Sequence, residues 1–295
     1  MTLDFIYDTP TAIVLIIFIL VFLSLALIGL YIFTLFTADG FNKKFNDANT
    51  GTYLSTVATA LALVIAFVIT NEYQTYNTTS LNLAREANAI YSLIEILSEF
   101  KSVESAEGIK LSIQYLCSII NVEFPEMEQG ILPVPNPCLE LLQAIVLNLT
   151  PTNNKETVLY DKAIDQLNLA INLRNYRLEQ TVASLPPEFY WLLIIGISIL
   201  IVLTWFINGD LFYRVLMTSF ITIIYSTLVT LVFILDLPFR GFFALGPEPY
   251  QLVLTQLEVK NCPSEECNIT SIKEMKFLKK KVASCIKSSN NITLV

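Results

Sequence analysis

The 295-residue chain contains no histidine, and only 15% of its residues are charged. The first absence removes Ser-His-Asp and Cys-His nucleophile pairs, imidazole-ligated metals and haem, and the side chain that titrates near neutral pH. The second sets the chain well below the roughly 25% charge of an average soluble domain. The apolar residues, 54% of the total, are gathered into uninterrupted runs instead of being spread along amphipathic faces, which excludes a purely soluble globule. A P-loop, a Rossmann glycine pattern and a Gly-x-Ser-x-Gly elbow are also missing, so no enzymatic activity, cofactor or metal is expected. Bases are outnumbered, 18 Lys and Arg against 26 Asp and Glu, and the resulting charge of −8 argues against nucleic acid as a partner.

What is present is four runs suited to a lipid bilayer. Thr11 to Phe36 is uncharged for 26 residues, about 39 Å as a helix against roughly 30 Å of hydrocarbon. Thr52 to Thr70, Phe189 to Ile207 and Val215 to Leu235 follow, with Trp191 and Trp205 near the two ends of the third run, where amphipathic rings favour interfaces. Lys43 and Lys44 fall in the loop after span one and Arg214 in the loop after span three, whereas the first ten residues hold Asp4 and Asp8 and no base. Because positive charge is retained on the cytoplasmic side, both short loops are expected there. The N-terminus, the 71–187 segment and the C-terminal tail are then expected outside the cytoplasm, in a plasma or bacterial inner membrane.

The long segment between spans two and three reads as helical. Leu83, Ala87, Ile90, Ile94 and Leu97 recur at steps of four and three, and no proline interrupts the chain from Thr52 to Lys101, so span two is expected to continue outward as one long helix. A second helix, with Ile109, Ile113, Leu116 and Ile120 on its face, is expected to stop before Pro125. A Pro-rich loop and a short helix from Cys138 to Leu149 follow. The last helix places Tyr160, Ile164, Leu167, Ile171, Leu178 and Val182 on one stripe. Such stripes bury together as an antiparallel bundle, here an acidic one with 7 bases and 14 acids over residues 71–187. The organisation expected is 1–70 for spans one and two, 71–187 for an extracytoplasmic helical domain, 188–257 for spans three and four with an outer turn, and 258–295 for a Cys- and Lys-rich tail. The fold class is therefore all-α, with four transmembrane helices and a helical bundle inserted between spans two and three.

All five cysteines, Cys117, Cys138, Cys262, Cys267 and Cys285, and four N-x-S/T sequons, at Asn77, Asn148, Asn268 and Asn291, fall on the side read as outside. Cys262 and Cys267 bracket a tight loop that fits either a disulfide or a pair of free thiols. In the tail, Ile272, Met275, Leu278, Val282 and Ile286 form an apolar stripe opposite six lysines, suited to an anionic lipid surface or to the acidic outer domain.

Two sets of side chains are candidates for function. Span two carries Thr52, Thr56, Thr59, Leu63, Ala66 and Thr70 on one face. Small and hydroxylated residues there either let helices approach closely or line a wet pore, in which Leu63 would be the hydrophobic constriction. Span four repeats the theme with Thr218, Thr222, Ser226 and Thr230. The second set comprises Glu72, Arg85, Glu86, Asp236 and Arg240, at the outer ends of spans two and four, as turn-fixing charges or an ion-funnelling vestibule.

Arg85-Glu86-Ala87, together with Leu235-Asp236-Leu237-Pro238-Phe239-Arg240-Gly241 and Gly246-Pro247-Glu248-Pro249-Tyr250, resembles the bestrophin-like domain family of four-span membrane proteins. The likeness covers roughly residues 10 to 257. The chain departs from the bestrophin anion channels in having no proline-aromatic neck motif in span two and no acidic run longer than Glu265-Glu266 to clasp calcium. The resemblance implies a homo-oligomeric channel in the lipid bilayer, passing an inorganic anion. The alternative is a non-conducting scaffold or sensor that binds a partner through its outer helical domain.

Overall fold

The structure, a computed structural model, describes residues 11–37, 47–183, 185–207, 209–241 and 243–260. Lys43, Lys44, Cys262, Cys267, Cys285 and the basic tail lie outside the described residues. Every regular element among the described residues is helical. The order is α1 (Thr11–Phe36), α2 (Asp47–Glu99), α3 (Val103–Ser118), a π-helical turn (Ile119–Glu123), α4 (Phe124–Glu128), α5 (Pro137–Leu147), α6 (Asn154–Val182), α7 (Pro187–Trp205), α8 (Leu211–Leu235) and α9 (Glu248–Lys260). Four of them, α1, α2, α7 and α8, are long and apolar enough to cross a membrane. The 53 residues of α2 form one unbroken helix, as the absence of proline allows. Two compact units result, Met1–Tyr76 with Ala183–Phe243, and Asn77–Val182 with Ala244–Val295.

In the first unit the core is built from one face of each span. Leu61, Ile65 and Val68 of α2 meet Leu193, Ile197 and Leu200 of α7 and Tyr225, Val229 and Val232 of α8. Gly196 makes the α2–α7 contact possible: a Cβ there would sit 2.6 Å from Leu61 Cδ1. Gly29 of α1 plays the same part against the indole of Trp205, which a Cβ would approach to 2.5 Å. Tyr225 reaches across to α2 and donates its hydroxyl to the Ala58 carbonyl at 3.0 Å. Arg214 is 5% exposed. It donates to the Trp205 carbonyl at 2.7 Å and stacks over Phe33 at 5.7 Å, so this base is held by the fold as well as counting toward topology.

The second unit buries the expected stripe Leu83, Ala87, Ile90, Ile94 and Leu97 of α2, with Ile113, Leu116 and Ile120 from the α3 segment. Ser102 caps α3 by accepting from the Ser105 N–H at 3.1 Å. Two sequence expectations need correction. The second helix does not stop before Pro125: the chain passes through the π-helical turn, and Pro125 falls in the first turn of α4, where its missing N–H costs nothing. Asn121 helps by donating its side-chain amide to the Cys117 carbonyl at 2.9 Å. The buried face of α6 is also not the expected stripe. It runs Ala163, Leu167, Ala170, Arg174, Arg177 and Thr181, while Val182 is 57% exposed. The helix is turned so that two arginines face inward, because carboxylates await them there.

Candidate functional site

At 100° per residue, the span-two positions Thr52, Thr56, Thr59, Leu63, Ala66 and Thr70 lie within about 40° of one line along α2, and Leu61 lies about 180° away. The structure puts Leu61, Ile65 and Val68 in the core and leaves all six stripe residues exposed, Leu63 by 68%. The hydroxyls bond back to their own helix: Thr56 to the Thr52 carbonyl, Thr59 to Ser55 and Thr70 to Ala66, each at 2.8 Å. Their protons are thus committed to the backbone, and the oxygens face outward on a wettable surface without fixed charge. Span four contrasts with this. Thr218, Thr222, Ser226 and Thr230 are all buried, and Thr218 shares a 2.8 Å hydroxyl contact with Thr204 of α7. Its hydroxyl stripe belongs to helix packing.

Two carboxylates lie close together at the end of the spans. Glu72 is 8% exposed and Asp236 7% exposed, with Asp236 within electrostatic reach of Glu72. Asn71 donates to Glu72 at 3.3 Å. Asp236 accepts the Leu185 N–H at 2.5 Å, which pins the approach to α7 against the end of α8. The turn that follows is closed by the Arg240 N–H on the Leu237 carbonyl at 3.2 Å and by Gly241, whose φ of 85° only glycine adopts freely. Nothing in the sequence spacing brings Glu72 and Asp236 together; the packing of α2 and α8 does.

The remaining candidates part company. Arg85 is exposed and donates to Asn82 at 3.4 Å, whereas its neighbour Glu86 is fully buried in the second unit. There Arg177 grips both Glu86 oxygens, Nε to Oε2 at 3.0 Å and Nη2 to Oε1 at 3.2 Å, and reaches Glu123 Oε2 at 2.6 Å. Arg174 meets Glu123 Oε1 at 2.9 Å and the Val134 carbonyl at 3.2 Å. Tyr115 and Tyr250 donate to Glu86 at 3.0 and 2.6 Å. Asn136 caps α5 through its carbonyl oxygen, accepting the Cys138 N–H at 3.1 Å, and gives its amide to Glu123 at 2.8 Å. The aromatic rings of Phe124 and Tyr250 flank the Arg177 guanidinium at 5.6 and 5.8 Å. Two carboxylates and two guanidiniums balance, so the cluster is neutral and hydrogen-bonded from six segments of chain.

Burial raises the Tyr115 and Tyr250 phenols well above their usual range, with Glu86 adding to the effect, so both remain donors. Burial opposes the charge on Arg177, but Glu86 leads the neighbours that hold its pKa well above the ordinary value. For Glu123 burial acts upward and is outweighed by Arg177, Arg174 and Asn136, leaving its pKa below the usual 4.5. A depressed folded pKa contributes stability that is present above the unfolded value and lost as pH falls through the folded one. The melting temperature of the helical unit should therefore drop as pH is lowered past 4.5. Thermal scans from neutral to about pH 3 check this, and a flat profile would contradict it.

Sequence reasoning named Glu86 but missed Tyr115, Glu123, Arg174, Arg177 and Tyr250. The available signal was that Arg174 and Arg177 share a helix face with Ala163, Leu167 and Ala170, a position where a base demands a partner. Glu86 and Tyr250, from two of the three quoted motifs, touch each other here; these motifs fasten the fold.

Fold and faces together define an all-helical four-span membrane protein carrying a helical unit with a charged core. The bestrophin-like domain family matches residues 20–250, and the chain belongs to that family. No curated protein matches it. Among solved structures, a point mutant of a bacterial bestrophin homologue from Klebsiella pneumoniae aligns with a TM-score of 0.63 at 13% identity, over 81% of this chain and 97% of that one. A second point mutant of the bacterial bestrophin homologue from Klebsiella pneumoniae aligns at 0.62 and 14% identity, over 84% and 99%. A third structure, described simply as a membrane protein, aligns at 0.62 and 13%, again over 84% and 99%. Likenesses at this identity speak for the fold.

Proposed function

We propose that the protein is an ion channel and not an enzyme, a homo-oligomer in which the exposed face of α2 lines the path and an inorganic anion is the permeant species. The observation that carries this reading is the orientation of α2. Its apolar face is spent on the core, and Thr52, Thr56, Thr59 and Thr70 are turned out of the bundle. Hydrocarbon gains little from hydroxyls, whereas a partly hydrated ion on an oligomer axis gains contacts without a fixed charge to trap it. Membership in the bestrophin-like family supports the same reading.

The test is recording from purified protein in planar bilayers bathed in KCl. Discrete unitary currents are expected. Silent bilayers with well-folded protein would overturn the channel and favour a scaffold that binds a partner through its helical unit. In the same reading the N-terminus, the 71–187 segment and the tail lie outside the cytoplasm. With the five native cysteines replaced by serine, a cysteine substituted for the exposed Asn154 should react with an impermeant maleimide on intact cells, and one substituted for Asn42 should not. The reverse pattern would invert the topology.

A further inference from the structure

From Thr52 to Ile94 the helix α2 carries three charged residues, Glu72, Arg85 and Glu86. Two are withdrawn from the surface. Glu72 is 8% exposed, and Glu86 is fully buried and held by Arg177. Arg85 alone is exposed, and its hydrogen bond is to the neutral amide of Asn82 at 3.4 Å. No carboxylate lies within ion-pair distance of it among the described residues.

Its position along the helix matters as much as its freedom. Gln74, Asn77, Leu81 and Asn88 are all exposed and, at 100° per residue, lie within about 40° of the line through the threonines. The wettable face of α2 therefore continues past Thr70 as a run of amides broken by one leucine. Arg85 stands about 60° from that line, whereas Glu86 stands about 160° away, on the buried side. A guanidinium on a long flexible stem covers an offset of that size easily. Up to Ile94 this face offers hydroxyl oxygens and amides and no other exposed charge. Glu95 and Glu99 follow on the same line about 15 and 21 Å beyond Arg85, with Glu99 paired to Lys155 at 2.9 Å. Over the stretch before them the sign of the preferred ion is left to Arg85.

Resting on the channel reading above, we propose that Arg85 is the residue that selects anions: one guanidinium from each subunit faces the path beyond Thr70 and favours small inorganic anions such as chloride over cations. The 71–187 segment is acidic as a whole, with 14 acids against 7 bases, and would by itself favour cations. Distance decides between the two. Exposed charges more than about 8–10 Å apart are screened at physiological ionic strength, while a charge within a few ångströms of the passing ion is not. Glu86 and Glu123, which could have opposed Arg85 locally, are already neutralised by Arg174 and Arg177.

The test is the reversal potential in planar bilayers under a KCl gradient, for the parent and for R85K, R85Q and R85E. The parent and R85K should prefer chloride. R85Q should lower the chloride-to-potassium permeability ratio by about tenfold or more, the scale set by one unit charge near the path. R85E should reverse the preference. Because Arg85 is exposed and nearly partnerless, all four proteins should melt at the same temperature, which separates an electrostatic effect from misfolding. Currents of unchanged selectivity in R85E, or a parent that prefers potassium, would overturn the role of Arg85 and leave conduction standing. Absence of current in every protein would overturn the channel reading and this inference with it.

Discussion

Replacing Arg177 with methionine is expected to unfold the helical unit, or to lower its melting temperature further than any other single change away from the spans. The side chain is 1% exposed and is the shared partner of Glu86 and Glu123. Removing it leaves Glu86 buried with two phenols and no cation, and Glu123 with Arg174 and the Asn136 amide on one oxygen only. Breaking a buried pair in this way costs about 3–5 kcal/mol, because the orphaned charge keeps its desolvation penalty. Here two carboxylates are affected, and the guanidinium also leaves the rings of Phe124 and Tyr250. Arg174→Met should cost less, since that residue bonds only one of the two carboxylates. Circular dichroism melts in detergent, with limited proteolysis of the unit, would measure the order parent, Arg174→Met, Arg177→Met. An Arg177→Met protein that melts with the parent would show that the cluster contributes nothing to stability.

The second large effect separates two leucines only two residues apart. Leu61→Ala should destabilise the spans by roughly 2–5 kcal/mol, the usual cost of a buried leucine. Leu61 is 7% exposed, and its methyls fill the space left by Gly196. Leu63→Ala removes a side chain that is 68% exposed in the protomer and should leave the melting temperature of the subunit nearly unchanged. If Leu63 is the constriction, its truncation widens an apolar neck and raises basal conductance, because a wider neck stays wet. Leu61→Ala, where it folds, should conduct as the parent does. Leu63→Ala with unaltered current and a looser oligomer, read by size-exclusion chromatography, would assign the leucine to subunit packing.

Much of this architecture was legible in the residues, for reasons that can be named. Uncharged runs mark the four spans because a bilayer tolerates few alternatives. The stripe from Leu83 to Leu97 was legible because its buried positions are apolar, and the continuity of α2 because no proline breaks it. The passage through Pro125 was hidden: a proline commonly ends a helix, and a π-helical turn leaves no simple compositional mark. The inward face of α6 was hidden for a different reason. Periodicity finds a core through apolar residues, and a face that carries Arg174 and Arg177 reads as solvated until the segments holding Glu86, Glu123 and Tyr250 are folded against it. The exposed threonine face of α2 and the buried one of α8 look alike as sequence. Only the placement of Leu61 against Gly196 tells which way α2 is turned.

Arg85 and Glu86 are adjacent in sequence, and about 100° of helix rotation separates them. By holding Glu86 inward, Arg177, Tyr115 and Tyr250 set the azimuth of α2 about its own axis in this unit. Were the helix to make about half a turn about its axis, the carboxylate would come to the surface and the guanidinium would be carried under. The sign of the charge displayed on the outer face is thus held by contacts made entirely on the inner one. A side chain as distant in sequence as Tyr250 can decide it without touching that face.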